Sequence, residues 1–397
     1  MNQKYQTTIE RDRCPVCESS STTPFLFREQ VPVHQNLVMN TQEVARNIVR
    51  GDLDLVLCEA CGFIFNRAFD MQKIMYGEEY DNTQSCSPAF SQYMDNLARY
   101  MIGTKNVRNS NVVEVGCGKG LFLRKLVEFE GSGNRGYGFD PSYVGEDIDL
   151  DGRLRFEKRY YDSNCADIPA DVIVCRHVIE HVPTPQDLLR NIKKALVKSP
   201  DAHIFFETPC VEWILRNHVI WDFFYEHCSY FTSRSLSTVF EMAGFEVESV
   251  RHEFEGQYLW LEAKVPKTAP PVTKDAGTIP ALAAEFAHSE NVLKRDWERR
   301  IQHLAKSGNV ALWGAGAKGV TFANLVDPQR KWIKCVVDLN PQKQGGFVPG
   351  TGHPIVGYKE LAAYDVRSAV LMNPNYREEN LVLLREADLN VELVWSL

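Results

Sequence analysis

The spacing of apolar residues changes period several times along this chain, and those changes divide it. From Val112 to about Lys264, short apolar runs of strand length alternate with stretches whose apolar residues recur at helical spacing, the pattern of an α/β unit with a parallel sheet. VVEV, GYGFD and ADVIVCR read as buried strands, the second closing on Asp140 and the third on Arg176. FEVESVRHEF and QYLWLEAKV read as an antiparallel pair that finishes the sheet. Upstream, FSQYMDNLARYMI has helical spacing. Downstream, VPKTAPPVTKDAGTIP reads as a linker, followed by a helix from about Ala281 to Lys306. A second α/β unit then opens with the strand, glycine turn and helix of NVALWGAGAKGVTF, and continues with the strands WIKCVVD and SAVLMNP. The expected class is α/β. The expected divisions are an N-terminal module over 1–72, an α/β domain with an N-terminal helical lid over 73–265, a linker and long helix over 266–306, and a second α/β domain over 307–397.

Two glycine turns give these units chemistry. In VVEVGCGKGLF the strand carries Glu114 and turns through Gly116, Gly118 and Gly120, and the next strand ends on Asp140. A strand, a glycine turn, a helix and a strand ending in an acid build a nucleoside-sized pocket at the carboxyl edge of a parallel sheet. Glycine lets the backbone approach the ligand, and the carboxylate can take ribose hydroxyls. A dinucleotide fingerprint, G-x-G-x-x-G, needs glycine where this chain has Leu121. E-x-G-x-G-x-G instead resembles motif I of class I S-adenosylmethionine (SAM) methyltransferases. The strand ending at Arg176-His177 resembles the segment of those enzymes that faces the methionine end of SAM. The resemblance implies Glu114, Gly116, Gly118, Gly120, Asp140, Arg176 and His177 as the cofactor-binding set. The second turn, Gly314, Gly316 and Gly319 with Asp338 ending the next strand, does fit the dinucleotide pattern, and Lys318 suits an anionic ligand. It reads as a Rossmann-like unit holding the anionic part of a substrate, with an NAD site as the alternative.

A net charge of −8 supplies no bulk pull toward nucleic acid or anionic membrane. No 18-residue apolar run occurs, and MNQKYQTTIERDR lacks the apolar core of a signal peptide, so the expected compartment is the cytoplasm and the expected partner a small molecule. Eleven cysteines include two C-x-x-C pairs, Cys14 with Cys17 and Cys58 with Cys61. Four thiolates on two tight turns suit a closed, structural zinc site, with a β-rich insert from about Thr22 to Leu57 between the knuckles.

The segment WDFFYEHCSYFTSRSL, Trp221 to Leu236, is the expected reaction site. A His beside a carboxylate can act as a base near neutral pH, Tyr hydroxyls can hold a substrate oxygen, and aromatic walls exclude water. His227, Glu226, Tyr225 and Tyr230 are therefore the candidates, against the alternative of a core histidine in aromatic packing. His34 in VPVHQN is placed to reach the site from the N-terminal module, His181 reads as a capping or packing residue, and His252 and His353 as structural or solvated.

Taken together, the four-cysteine module, the SAM-type core, Y-E-H-x-x-Y-F and the segment GAGAKGVTFANL…VVDLNPQKQGGFVPGTGHPI resemble the sugar C-methyltransferases, which act on nucleotide-linked keto sugars. The resemblance covers nearly the whole chain. It implies that His227 removes the proton beside a keto group, that Glu226 orients it, and that the resulting enolate takes the methyl of SAM. It further implies that Tyr76 or Tyr80 closes over the site and that the last domain grips a nucleotide diphosphate near Gly314, Gly316 and Lys318. The chain departs from the family at Phe224, where a tyrosine is usual, and at EGQYLWLE, which has one glycine where a G-G-S turn is usual. Methyl transfer to oxygen or nitrogen, a NAD-dependent oxidoreductase at Gly314–Gly319 and a non-catalytic zinc scaffold are the competing readings.

Overall fold

Three sheets organise the chain in the computed structural model, which describes residues 13–74 and 86–395. The largest has eight strands, in the order Glu246–Glu253, Tyr258–Lys264, His203–Pro209, Val172–Arg176, Asn111–Val115, Arg135–Phe139, Leu154–Glu157, Ile148–Asp149. The run from His203–Pro209 to Leu154–Glu157 is parallel, and the expected antiparallel pair closes one edge. Its central strands Asn111–Val115 and Val172–Arg176 are mostly apolar because helices such as Leu121–Glu128 and Pro185–Ala195 cover them, while the outer Leu154–Glu157 alternates buried and exposed. Asn111–Val115 lies between Arg135–Phe139 and Val172–Arg176, so the winding reverses there, and a crevice opens at the carboxyl ends of these strands.

The C-terminal sheet repeats that geometry with five parallel strands, ordered Ile355–Val356, Ile333–Val337, Asn309–Trp313, Val366–Leu371, Glu392–Val394. Its reversal lies between Asn309–Trp313 and Val366–Leu371, and the turn Gly314–Gly316 leaves from that point.

The N-terminal sheet takes in a strand from beyond residue 72. Thr22–Pro32, Arg50–Cys58 and Ile64–Asn66 form an antiparallel sheet whose fourth strand is Ser229–Tyr230, from the α/β domain. The helix Ile279–Leu304 is likewise more than a connector. It buries Ile279, Ala283, Phe286, Trp297 and Ile301 in a core shared with Leu26 and Leu55 of the N-terminal sheet, Trp221 of the histidine segment and Phe322 of the C-terminal domain. Three regions thus share one apolar core, which fixes the segment around His227.

Candidate active site

The first glycine turn lines a cavity of about 370 Å³ at the reversal of the large sheet. A Cβ on Gly116 would lie 2.2 Å from Val178 Cγ2, and its φ of +71° is left-handed, so the position demands glycine. Gly118 donates its amide to Asp140 Oδ2 at 2.9 Å, while Asp140 Oδ1 accepts from the Ser142 amide and hydroxyl at 2.8 and 2.6 Å. The carboxylate is oriented at both oxygens and keeps lone pairs for a ligand diol. Glu114 is buried and accepts the Leu123 amide at 3.1 Å; burial pushes its carboxyl up to about 8, so it is largely protonated at neutral pH. Gly116, Gly118, Glu114, Asp140, Arg176 and His177 all line this cavity. Gly120 does not line it, and caps the helix Leu121–Glu128 instead. Tyr160 and Tyr161, which sequence reasoning passed over, also line it.

Arg176 and His177 are held by a buried acidic pair. Arg176 lies 3.1 Å from Glu207 and stacks over Phe122 at 4.4 Å. His177, at φ 54°, places Nδ1 3.4 Å from Glu180. Its Nε2 lies 2.6 Å from Glu207 without the angle of a hydrogen bond, so that contact is a charge contact. Burial pulls His177 down, but Glu207 and Glu180 outweigh it and push its pKa up to about 9. Burial would raise Glu207, yet Arg176 and His177 hold it at about 2.

A second cavity, of about 230 Å³, lies between the reversal points of the two sheets. His227, His177, His181 and Glu180 line one side, and Gly314, Gly316, Lys318, Gly319 and Asp338 the other. His177 and His181 line both cavities, which therefore meet at these two rings. His181 sits edge-to-face with His227 at 4.7 Å, its Nδ1 3.0 Å from the Glu226 carbonyl. His227 packs on Phe224 at 4.2 Å, and no hydrogen bond reaches its ring among the described residues. Burial lowers its pKa well below the ordinary imidazole value, helped by the charges of His181, His177 and Lys318, so the ring is neutral at neutral pH.

The neighbours expected to work with His227 point elsewhere. Tyr225 accepts the Asp70 amide at 2.9 Å and packs on Phe69 under the N-terminal sheet. The Glu226 carboxylate accepts from the Gln35 amide at 2.7 Å and faces His34 at 3.6 Å. Burial would raise Glu226, but His34, His181 and the Gln35 amide hold it below the usual carboxylate range. Tyr230 bonds the Phe224 amide and carbonyl at 3.0 and 2.9 Å. These three brace the loop rather than line the cavity, because consecutive residues of an irregular segment project in different directions. Arg28 completes the brace by donating to the Phe223 and Ile220 carbonyls at 2.8 and 2.6 Å. Tyr76 and Tyr80 lie outside the described residues.

On the far side, a Cβ on Gly319 would meet the Gly314 carbonyl oxygen at 1.8 Å, so the turn's third glycine serves helix packing. Asp338 Oδ2 accepts the Ala315 amide at 2.8 Å. Lys318 is not the free cation its place in the turn suggested, since it pairs with Asp222 at 2.8 Å and donates to Gln257 at 3.2 Å. Lys343 replaces it. Its ammonium is buried in the cavity, and its partners among the described residues are neutral oxygens, Asn36 Oδ1 at 3.5 Å and the Ala315 carbonyl at 3.4 Å. Nothing in its sequence surroundings, NPQKQGG, marks it.

Cys14, Cys17, Cys58 and Cys61 converge as a buried cluster. Cys14 and Cys61 sulfurs are 3.7 Å apart, and Cys17 and Cys58 sulfurs 3.5 Å. A tetrahedral zinc with Zn–S of about 2.3 Å needs sulfurs roughly 3.8 Å apart, so the four positions fit such an ion.

Residues 87–250 match the family described as methyltransferase domain, and residues 277–389 match the C-methyltransferase C-terminal domain. The chain is 23% identical over 394 residues to the C-methyltransferase NovU of Streptomyces niveus, covering 93% of this chain and 91% of that one. A ubiquinone biosynthesis O-methyltransferase of Yersinia enterocolitica is 31% identical over 119 residues, 28% of this chain and 46% of its own. Among solved structures, magnesium protoporphyrin IX methyltransferase from Synechocystis PCC 6803 aligns over 47% of this chain and 88% of its own, at 17% identity and a TM-score of 0.35. A methyltransferase domain followed by a C-methyltransferase C-terminal domain, with the likeness to NovU along nearly the whole chain, supports a SAM-dependent C-methyltransferase.

Proposed function

We propose that the enzyme methylates a carbon beside a keto group in a nucleotide-linked sugar, with His227 as the base. The observation that supports this reading is the meeting of the two cavities at His177 and His181, with neutral His227 on the acceptor side. SAM supplies an electrophilic methyl carbon. Gly116, Gly118 and Asp140 would hold its nucleoside, Arg176 lines the same cavity, and His177 stands at the junction. His227 accepts the proton from the acceptor carbon, whose electron pair then becomes the nucleophile as the carbonyl oxygen takes the negative charge. Phe224 and the surrounding aromatic core keep water from competing. The N-terminal amides of the helix Ala317–Val326 and the Lys343 ammonium receive the diphosphate. The four cysteines hold a structural zinc.

Nucleotide-linked keto sugars screened with methyl-labelled SAM test this reading. At least one acceptor should gain label on carbon. His227→Ala should lower turnover at least ~10²-fold while leaving S-adenosylhomocysteine affinity unchanged. Label on oxygen or nitrogen would replace the carbon mechanism with the other transfer, and turnover that survives His227→Ala would remove His227 as base.

A further inference from the structure

We propose that Asn380 reads the base of the nucleotide that carries the acceptor, an inference that rests on the nucleotide-linked reading above. Asn380 lies on the helix Arg377–Glu386, is 1% exposed and lines the acceptor cavity. Neither Oδ1 nor Nδ2 has a hydrogen-bond partner among the described residues.

Its neighbours in the same cavity differ. Gln257 and Asn373 pair amide to amide, with both contacts at 3.0 Å. Glu379, one residue before it, accepts from the Ser87 hydroxyl at 2.9 Å and the Ala89 amide at 3.0 Å. Lys318 is matched by Asp222. Asn380 is the amide in this cavity with both polar atoms buried and unsatisfied. Such a group works against folding, and an apolar side chain would suit the buried face of this helix better, as Leu384 does one turn on. A turn of the side chain onto the cavity, where a ligand meets both atoms, removes the conflict.

A carboxamide presents an acceptor beside two donors in one plane. Its complement is a planar edge with a donor next to an acceptor, which every nucleobase carries. The walls suit a base as well. Tyr376 lies four residues before Asn380, and Trp313 ends the central strand Asn309–Trp313; both line the cavity and offer aromatic faces. Lys343 stands at the glycine turn of the same cavity, so one site offers contacts for base and diphosphate.

The test is calorimetry on the full chain with UDP, TDP, ADP, GDP, pyrophosphate as a base-free probe, and S-adenosylhomocysteine. Wild type should bind at least one nucleoside diphosphate more tightly than pyrophosphate. Asn380→Leu and Asn380→Ala should weaken that nucleotide by about tenfold or more and leave pyrophosphate and S-adenosylhomocysteine within about twofold. Asn380→Leu should not lower Tm. If both variants bind the nucleotide as wild type does, or lose the base-free probe equally, Asn380 does not read a base. If wild type binds S-adenosylhomocysteine but no nucleoside diphosphate, the nucleotide-linked reading fails, and this inference fails with it.

Discussion

His227 and His177 line the same cavity with opposite electrostatics. His227 is driven toward the neutral form by burial and by cationic neighbours, whereas His177 stays charged through Glu207 and Glu180. Their pH signatures therefore oppose each other. The unfolded chain binds a proton on His227 below about 6.5 that the folded chain refuses, so stability should fall as pH drops below that value. His177 contributes stability below about 6.5 that is lost as pH rises through about 9, its folded value. Melting followed from pH 5 to pH 10 should show both limbs, and His177→Gln should flatten the alkaline one. Tyr230→Phe should cost roughly 1–2 kcal/mol and lower kcat more than it raises KM, because the hydroxyl holds the Phe224 backbone beside His227. The segment from Trp221 to Leu236 stood out in the sequence, but its directions did not. Three consecutive side chains, Tyr225, Glu226 and His227, go to the N-terminal sheet, the 34–36 loop and the cavity. Lys343 and Asn380 were invisible because their significance appears only after folding, when Lys343 meets neutral oxygens rather than a carboxylate and Asn380 meets no partner among the described residues.

Elements were more legible than side chains, since period and glycine placement act locally. The strand before Gly116, the antiparallel pair and the strand before Gly314 stand where the apolar spacing put them. The short strand Ser229–Tyr230 was not readable, because a two-residue strand has no period and exists only through its pairing with Ile64–Asn66. Strand order was equally hidden, since it depends on nonlocal pairing. Gly116→Ala tests the glycine turn. With Val178 2.2 Å from the new Cβ and a left-handed backbone, the variant should lose about 1–3 kcal/mol of stability and at least ~10-fold in S-adenosylhomocysteine affinity. Equilibrium unfolding and calorimetry measure the two effects separately.

At the scale of the whole molecule, the second cavity exists because two sheets are held with their reversal points facing. Lys318 with Asp222, Gln257 with Asn373, and Glu379 with Ser87 span that seam, and the helix Ile279–Leu304 ties it to the N-terminal sheet. A zinc at the cysteine cluster, as proposed, would therefore bear on turnover although it lies outside the cavities. Removing the proposed zinc with a strong chelator should loosen the sheet that includes Ser229–Tyr230 and abolish turnover, and metal analysis of the active protein should return about one zinc per chain. The central claim, that His227 generates a carbon nucleophile, is tested most directly by deuterium exchange at the acceptor carbon in D2O without SAM. Wild type should exchange the proton beside the keto group of an acceptor it turns over, and His227→Ala should not. An acceptor that is methylated yet never exchanges that proton would contradict the claim.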